Sequence, residues 1–267
     1  MSRKPNLIIA GAQKSGTSWL HAQLRQHPDI FMPAVKELNY FNRIGEVTAD
    51  EYLAHFRSAG SERYVGEATP HYFWKRIENS PYCEPPGDFD VATEMHRFLD
   101  PGAQLIFSLR DPVSRAVSGW HHNMCMGRNP DRKGMLDCPP SMGIVDLGMY
   151  ARHWDHFESL FGRERMHVVL YDDLERAPRD YLGWVLRLLE LDADDEYFSA
   201  INLNDRINTK EHLIKRLPGG AELPKADPDE IKKLLEMYEP HIRRVEDISG
   251  RDLSNWRDHD LLVASLC

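Results

Sequence analysis

The chain has 267 residues, and its 42% hydrophobic and 28% charged residues are typical of a soluble globular protein. Its 33 basic and 42 acidic residues give a net charge of −9, which argues against a protein that coats nucleic acid through bulk positive charge. No apolar run reaches the roughly 18 residues of a transmembrane helix, so we expect no membrane span.

The cysteine pattern and the N-terminal segment bear on compartment and metal binding. Cys83, Cys125, Cys138 and Cys267 are scattered and form no C-x-x-C pair, which argues against a zinc site and a disulfide framework. The apolar run that begins at Leu7 is too short for the core of a signal peptide. We therefore expect free thiols, no bound metal and a cytoplasmic protein.

Apolar strands alternate with helical segments along the chain. In chain order, strands are predicted over 6–12, 64–67, 104–109 and 166–171. Helices are predicted over 18–27, 91–99, 111–126, 146–161, 181–191 and 227–248, and irregular chain over 127–144 and 202–226. This order predicts an α/β fold in which a mostly parallel central sheet carries helices on both faces, in a single domain that spans residues 1–267.

The most distinctive motif is the turn between the first strand and the first helix, residues 11–19 (G-A-Q-K-S-G-T-S-W). Backbone N–H groups at such a turn meet the positive end of the helix dipole, so an anion binds there readily. Gly11 and Gly16 have the spacing of a Walker loop, but Thr17-Ser18 follows where Lys-Ser or Lys-Thr would be required. The lysine is Lys14, inside the loop, and we expect it to contact a different part of the ligand.

A second motif follows the strand over 104–109, at the edge where open α/β sheets bind ligands. It reads R-D-P-V-S-R-A-V-S from Arg110 to Ser118. An arginine fork and a helix hydroxyl at these positions can hold a phosphate. The alternative is that Arg110 pairs locally with Asp111 and that Ser118 only packs. Because the strand ends in arginine and not in a Walker-B aspartate, magnesium-dependent phosphoryl transfer is poorly supported.

Together, the two motifs resemble those of the sulfotransferases that use 3′-phosphoadenosine 5′-phosphosulfate (PAPS). Residues 14–18 resemble the family's 5′-phosphosulfate loop, and Arg110 with Ser118 resembles its 3′-phosphate site. Residues 166–174 and 251–256 are similar to a later strand and to a common carboxy-terminal ending. The resemblance implies a P-loop-type three-layer α/β/α fold, PAPS as the sulfuryl donor, PAP as the product and no required metal.

The heparan-type and bacterial branch of that family is the most similar. Residues 36–41 (K-E-L-N-Y-F) resemble its segment with a catalytic glutamate, and residues 66–73 (G-E-A-T-P-H-Y-F) resemble its next active-site strand and loop. Heparan-modifying relatives commonly carry lysine where Ala68 stands, and a paired-cysteine loop is absent here. These departures weaken heparan sulfate as the acceptor, which stays open between a small molecule, a lipid and a carbohydrate.

The resemblance also implies roles for individual residues. Lys14 neutralises the leaving phosphate oxygen, and Glu37 is the general base, with His71 as its rival because histidine titrates near neutrality. The residues expected to bind the cofactor are Lys14, Ser15, Gly16, Thr17, Ser18, Arg110, Ser118, Tyr171, Arg216 and Gly220. Those expected to bind the acceptor are Lys36, Glu37, Asn39 and His71.

The sequence therefore predicts an enzyme that transfers a sulfuryl group from PAPS to a hydroxyl or amine of a small-molecule, lipid or carbohydrate acceptor. Two alternatives stay open. One is a P-loop nucleotide kinase or another phosphotransferase, and the other is a non-catalytic scaffold that binds PAP. No nucleic-acid partner is expected.

Overall fold

A computed structural model describes residues 3–203 and 222–267 of the chain. Backbone contacts group these residues into two units, which we describe separately. Unit one comprises residues 3–74, 88–109 and 156–203, and unit two comprises residues 75–87, 110–155 and 222–267. The single domain expected over 1–267 stays a prediction.

The central sheet lies in unit one and has five strands within the described residues. They are β1 (Leu7–Gly11), β2 (Ile30–Phe31), β3 (Tyr64–Ala68), β4 (Gln104–Leu109) and β5 (Met166–Leu170), in the spatial order β2-β3-β1-β4-β5. Every neighbouring pair is parallel. All five residues of β1 are buried, as an unbroken apolar strand in a parallel sheet requires. The predicted parallel α/β architecture is confirmed.

Ten α-helices are assigned in the described residues. They are α1 (Thr17–Leu24), α2 (Ala49–Ala54), α3 (Val91–Phe98), α4 (Pro112–Cys125), α5 (Tyr150–Phe161), α6 (Tyr171–Arg176), α7 (Pro178–Leu188), α8 (Asp195–Ala200), α9 (Pro228–Ser249) and α10 (His259–Leu266). None of these helices is both long and apolar enough to cross a membrane.

Helices cover both faces of the sheet in unit one. Ile106 of β4 belongs to an apolar cluster that also contains Leu20 of α1 and Leu182 of α7. Successive strand residues point to opposite faces of a sheet. The next residue, Phe107, meets Phe157 of α5 with their ring centroids 5.5 Å apart. The predicted three-layer arrangement is therefore confirmed within this unit.

Unit two is built around α4, which packs against α9 and α10. The carboxylate of Asp111 caps α4, because it accepts hydrogen bonds from the backbone amides of Val113 at 3.0 Å and Ser114 at 2.8 Å. Pro112 occupies the first helical position, as the sequence predicts. The buried Tyr238 of α9 donates its hydroxyl to the carbonyl of Val145 at 2.6 Å, which ties α9 to the chain that precedes α5.

The structure corrects three predicted helix boundaries. Helix α1 ends at Leu24 and not at residue 27, because the amide of His27 bonds to the carbonyl of Leu24 in a tighter turn. Helix α5 begins at Tyr150 and not at residue 146, since Asp146–Gly148 forms a short 3₁₀ helix. Helix α7 spans Pro178–Leu188 instead of 181–191, and its proline occupies the first turn.

Five elements were not predicted from the sequence: β2, α2, α6, α8 and α10. Each has eight residues or fewer, so its hydrophobic period is hard to recognise. The irregular chain predicted over 202–226 lies mostly outside the described residues. All four cysteines are described, and none forms a disulfide.

Candidate functional site

Residues 11–18, called the phosphate loop from here on, connect β1 to α1. The amide of Ala12 donates to the carbonyl of Ser108 at 2.7 Å. The hydroxyl of Ser108 donates to the carbonyl of Ser15 at 2.6 Å and contacts the Tyr181 hydroxyl at 3.1 Å. Because Ser108 is fully buried near the carboxyl end of β4, these bonds fix the loop to the neighbouring strand.

Two glycines of the phosphate loop are required by its geometry. Gly16 has a φ of 79°, and a Cβ there would lie 2.6 Å from Leu174 Cδ2 and 3.0 Å from Tyr171 Cδ2. A Cβ on Gly11 would lie 2.5 Å from Cβ of Phe73. The same distances show that the ring of Tyr171, at the start of α6, lies directly beside the loop.

The phosphate loop has the properties of an anion site. The loop residue at the N-cap position of α1 is Gly16, which has no side chain, so the first backbone amides of that helix have no side-chain cap. The hydroxyl oxygen of Ser15 is buried and has no hydrogen-bond partner among the described residues. Lys14 is half-buried and has a φ of 68°. A phosphate or sulfate group fits this set of amides, hydroxyl and ammonium, because it satisfies the helix start and the orphaned Ser15 oxygen together.

Residues 36–39 run along the carboxyl end of β3. The amide of Glu37 donates to the carbonyl of Ala68 at 3.0 Å, and the amide of Asn39 donates to Oγ1 of Thr69 at 3.3 Å. Glu37 and Asn39 have φ values of 63° and 56°, and Asn39 directly precedes the short 3₁₀ helix Tyr40–Asn42. The Glu37 carboxylate is accessible and lies 2.6 Å from Nζ of Lys36.

Glu67 is a buried acid that the sequence reasoning missed. Its Oε1 accepts hydrogen bonds from the hydroxyls of Tyr52 at 2.8 Å and Tyr72 at 2.9 Å, and its Oε2 accepts one from Thr69 at 2.7 Å. Burial raises the pKa of Glu67, while these bonds and one from the Leu38 amide act in the opposite direction. An acidic residue inside the apolar strand Y-V-G-E-A was the sequence signal.

Glu67 positions the segment that carries Glu37. The carboxylate bonds directly to the Leu38 amide and also holds Thr69, whose hydroxyl oxygen in turn accepts the Asn39 amide. Residues 37–39 are thus bonded in succession to the carboxyl end of β3 and to Thr69, which follows it. A buried, fully bonded carboxylate of this kind favours one arrangement of its neighbours.

His71 lies beside the phosphate loop. Its Nε2 is 3.1 Å from Nε2 of Gln13, which is a buried loop residue. The amides of Thr69 and Phe73 donate to the carbonyls of Ile9 at 3.2 Å and Ala10 at 2.9 Å, so the chain around His71 is tied to β1. The structure therefore brings His71 and the loop together at the carboxyl ends of two neighbouring strands.

The second motif begins where β4 ends, and its residues belong to unit two. The carbonyl of Arg110 accepts a hydrogen bond from the Tyr150 hydroxyl at 2.9 Å. Burial raises the pKa of Asp111, and its carboxylate is engaged as the cap of α4. The Arg110 guanidinium acts on the pKa of Asp111 in the opposite direction, so the local alternative, in which Arg110 pairs with Asp111, stays open.

One row of α4 is accessible. Ser114, Ser118 and His122 follow one another at four-residue spacing and are partly exposed, while the other residues of the helix are buried. Such spacing places the three side chains on one face. Ser118 is thus open to a ligand, as the phosphate prediction requires. The sequence reasoning did not place His122 on this row, although the spacing was readable.

Comparison with known proteins identifies the family. Residues 4–210 match the sulfotransferase domain. The chain belongs to the sulfotransferase family. It is 26% identical over 274 residues to human heparan sulfate glucosamine 3-O-sulfotransferase 3B1, covering 93% of this chain and 64% of that protein. It is also 35% identical over 123 residues to the membrane-associated sulfotransferase kil1 of Dictyostelium discoideum, covering 45% of this chain and 23% of kil1.

A solved structure supports the same assignment. The sulfotransferase from Alicyclobacillus acidocaldarius matches 96% of this chain and 100% of its own, with a TM-score of 0.67 and 25% identity. The family and fold predicted from the two motifs are confirmed. The chain spans less than two thirds of the length of the Dictyostelium and human relatives.

The predicted site residues of this member of the family are distributed as follows. In unit one, the phosphate loop has Tyr171 and His71 beside it, and Lys36, Glu37 and Asn39 lie along β3. In unit two, Arg110 and Ser118 lie at the start and on the accessible row of α4. Arg216 and Gly220 lie outside the described residues. No group of three or more His, Cys, Asp or Glu side chains suited to a metal ion is present in residues 3–203 and 222–267.

Proposed function

We propose that this protein transfers a sulfuryl group from PAPS to a hydroxyl or amine of an acceptor. The observation that carries the proposal is the phosphate loop at the end of β1. It combines Lys14, the orphaned hydroxyl of Ser15 and the uncapped start of α1, in a chain that belongs to the sulfotransferase family. The cytoplasmic location expected from the sequence stays a prediction.

The phosphate loop binds the donor and stabilises the leaving group. PAPS supplies the sulfuryl group when bound, and its 5′-phosphate oxygen keeps the electron pair of the broken S–O bond. Lys14 neutralises the charge on that oxygen, while Ser15, Thr17, Ser18 and the loop amides hold the phosphate. Tyr171, whose ring lies beside Gly16, packs against the nucleoside.

The arginine motif distinguishes this nucleotide from others with a single 5′-phosphate. Arg110 and Ser118 bind the 3′-phosphate, because a guanidinium fork and a hydroxyl together supply charge-assisted hydrogen bonds. The partial exposure of Ser118 on α4 supports this role. The residues of the expected covering loop, Arg216 and Gly220, are assigned on the resemblance alone.

Glu37 activates the acceptor. Its carboxylate takes the acceptor's proton as the acceptor oxygen or nitrogen bonds to sulfur. Lys36 contacts the carboxylate at 2.6 Å, and Asn39 donates its side-chain amide to the carbonyl of Glu37 at 2.6 Å. These two residues hold Glu37 in position and line the acceptor side with His71.

Transfer from sulfur-labelled PAPS to a panel of acceptors tests the proposal. The panel contains a glucosamine oligosaccharide, a long-chain alcohol and a phenol, and PAP release is measured with each. We expect at least one to accept label, and Glu37→Gln to lower kcat by about 10²-fold or more while PAP binding is kept. Glu46→Gln, which alters an exposed carboxylate 2.9 Å from Arg43, is the matched control and should leave kcat unchanged.

Two results would contradict the proposal. Phosphate transfer from ATP with magnesium, without any reaction of PAPS, would assign the loop to a phosphotransferase. PAP binding without turnover of any acceptor, with no effect of Glu37→Gln on slow PAPS hydrolysis, would indicate a scaffold that only binds nucleotide.

A further inference from the structure

Gln13 is the phosphate-loop residue that contacts His71. We infer that Gln13 is a positioning residue that keeps the proton of His71 on Nδ1 and so makes His71 a hydrogen-bond donor and not a base. The structural part of this inference stands on contacts in unit one. Its consequence for sulfuryl transfer rests on the proposed function.

With the Gln13 amide in the orientation of this structure, the contact determines the proton position of His71. Nε2 of Gln13 lies 3.1 Å from Nε2 of His71. An amide nitrogen has no available lone pair and can only donate, so the ring Nε2 must accept. A neutral imidazole with a lone pair on Nε2 carries its proton on Nδ1.

Burial favours this orientation of the Gln13 amide. Gln13 is 7% exposed, and its Oε1 is the atom that has no partner among the described residues. If the amide oxygen and nitrogen of Gln13 were exchanged, its Oε1 could accept a hydrogen bond from an Nε2–H of His71. The NH₂ group of Gln13 would then stand at the position that has no partner. A buried N–H without a partner is rarer in proteins than an under-satisfied oxygen. The orientation with Nε2 as donor therefore has the lower free energy.

The tautomer assigns different roles to the two rival bases. A general base needs a lone pair that points at the proton it removes. In His71 the Nε2 lone pair is occupied by Gln13, and Nδ1 already carries a hydrogen. His71 then donates Nδ1–H to an oxygen of the acceptor or of the sulfuryl group, and the acceptor's proton goes to Glu37.

Nitrogen NMR of the full chain tests the tautomer without any turnover. With the histidine rings labelled, we expect His71 at mildly alkaline pH to show a protonated Nδ1 and an unprotonated Nε2. Gln13→Glu replaces the donor by an acceptor and should move the proton to Nε2, whereas Gln26→Leu, at an exposed glutamine, should change nothing. A wild-type His71 with its proton on Nε2 would overturn the inference.

Kinetics test the role. The asparagine side chain in His71→Asn keeps an N–H donor near the position of Nδ1 but cannot act as a base. We therefore expect His71→Asn to retain kcat within about tenfold, and His71→Ala to lower kcat by about 10²-fold. Gln13→Glu should lower kcat by about tenfold with the KM for PAPS within about twofold. Equal loss in His71→Asn and His71→Ala, with PAP binding intact in both, would make His71 a base and overturn the inference. If no acceptor is turned over at all, the proposed function fails, and the NMR result still decides the tautomer.

Discussion

Lys14 shows how a single displaced residue changes the chemistry expected of a loop. It lies inside the phosphate loop and not at the position before the helix hydroxyl that a Walker lysine takes. Its backbone has a φ of 68°, and the loop around it is fixed by the bonds of Ser108. The lysine is therefore presented by a rigid turn, as a group that stabilises a developing charge should be.

We expect Lys14→Ala to lower kcat by about 10²–10³-fold, because a preorganised contact to the leaving oxygen is strongest in the transition state. PAP release from PAPS and the best acceptor is the measurement. Lys4→Ala is the control, since Nζ of Lys4 donates to the carbonyl of Phe98 and has no part in the loop. A Lys14→Ala enzyme that keeps more than about a tenth of wild-type kcat would contradict this role.

Glu67 leads to a second residue-scale prediction. In Glu67→Gln the new amide NH₂ faces donor groups, so we expect a loss of about 1–3 kcal/mol in the free energy of unfolding. We also expect kcat to fall by about tenfold, because the Leu38 and Thr69 bonds that position Glu37 are weakened. Tyr52→Phe, which removes one donor and leaves the carboxylate, should have the smaller effect on kcat. Urea unfolding and steady-state kinetics measure both, and an unchanged kcat in Glu67→Gln would exclude the positioning role.

The residues that the sequence located and those it missed differ in one physical respect. Lys14, Ser15 and Glu37 were predicted as site residues because each belongs to a short local motif. Gln13 was quoted only as a loop residue, because its partner His71 is 58 positions away along the chain. Glu67 was missed for a similar reason, since two of its partners, Tyr52 and Leu38, lie on segments that only the folded chain brings to β3.

At the scale of elements, the strand–loop–helix unit of β1, the phosphate loop and α1 depends on the conformation of Gly16. Its φ of 79° and the contacts of 2.6 Å and 3.0 Å that a Cβ would make leave no room for a side chain. We expect Gly16→Ala to lower the free energy of unfolding by about 1–3 kcal/mol and to weaken PAP binding by more than about tenfold. Gly102→Ala, where a Cβ meets nothing within 4 Å, is the matched control.

Thermal unfolding and PAP titration of the two glycine variants give the result. Gly16→Ala with wild-type PAP affinity would mean that the loop tolerates another conformation, and the strain argument would be wrong. A comparable loss in Gly102→Ala would show that the method responds to any added methyl group.

Strands were easier to predict than helices in this chain. β1, β3 and β4 are almost completely buried and β5 is largely buried, so their sequences are mostly apolar. Helix ends depend on contacts instead. The carboxyl end of α1 is set by a 3₁₀-type turn, and the start of α5 is set by the 3₁₀ helix at Asp146–Gly148, which no capping signal announces.

At the scale of the whole molecule, buried histidines determine part of the pH dependence of stability. Burial lowers the pKa of His153 to about 3 and that of His21 to about 4. Both ring nitrogens of His153 are engaged, with the Lys75 amide at 3.0 Å and the Asp146 carbonyl at 2.9 Å. Both pKa values lie below 6.5, the ordinary value for histidine. At pH values between the lowered pKa and 6.5, the unfolded chain therefore binds more protons than the folded one.

The free energy of unfolding should therefore fall as the pH is lowered from about 6.5 toward 4, by up to about 1.4 kcal/mol per pH unit for each such histidine. The raised pKa values of Glu67 and Asp111 act in the opposite direction, so a comparison of variants is needed. His153→Asn should reduce the slope and the exposed His55→Asn should not, as measured by urea unfolding at pH values across this range. Equal slopes in His153→Asn and the wild type would contradict the assignment.

The architecture as a whole followed from the order of elements, because alternating buried strands and helices have few ways to cover both faces of a sheet. The acceptor did not follow from it, since one fold hosts many acceptor pockets. The sequence predicts the nucleotide better than the acceptor, because binding two phosphates requires two anion motifs.

Calorimetric titration with PAP, with 5′-AMP and with ATP plus magnesium tests the central claim most directly. We expect PAP to bind at least about tenfold more tightly than 5′-AMP, since the charge-assisted bonds of Arg110 to the 3′-phosphate contribute about 1.5–3 kcal/mol. Magnesium should leave PAP binding unchanged, and Arg110→Ala should remove most of the difference between the two nucleotides. Preferential binding of ATP with magnesium, or equal binding of PAP and 5′-AMP, would contradict the account.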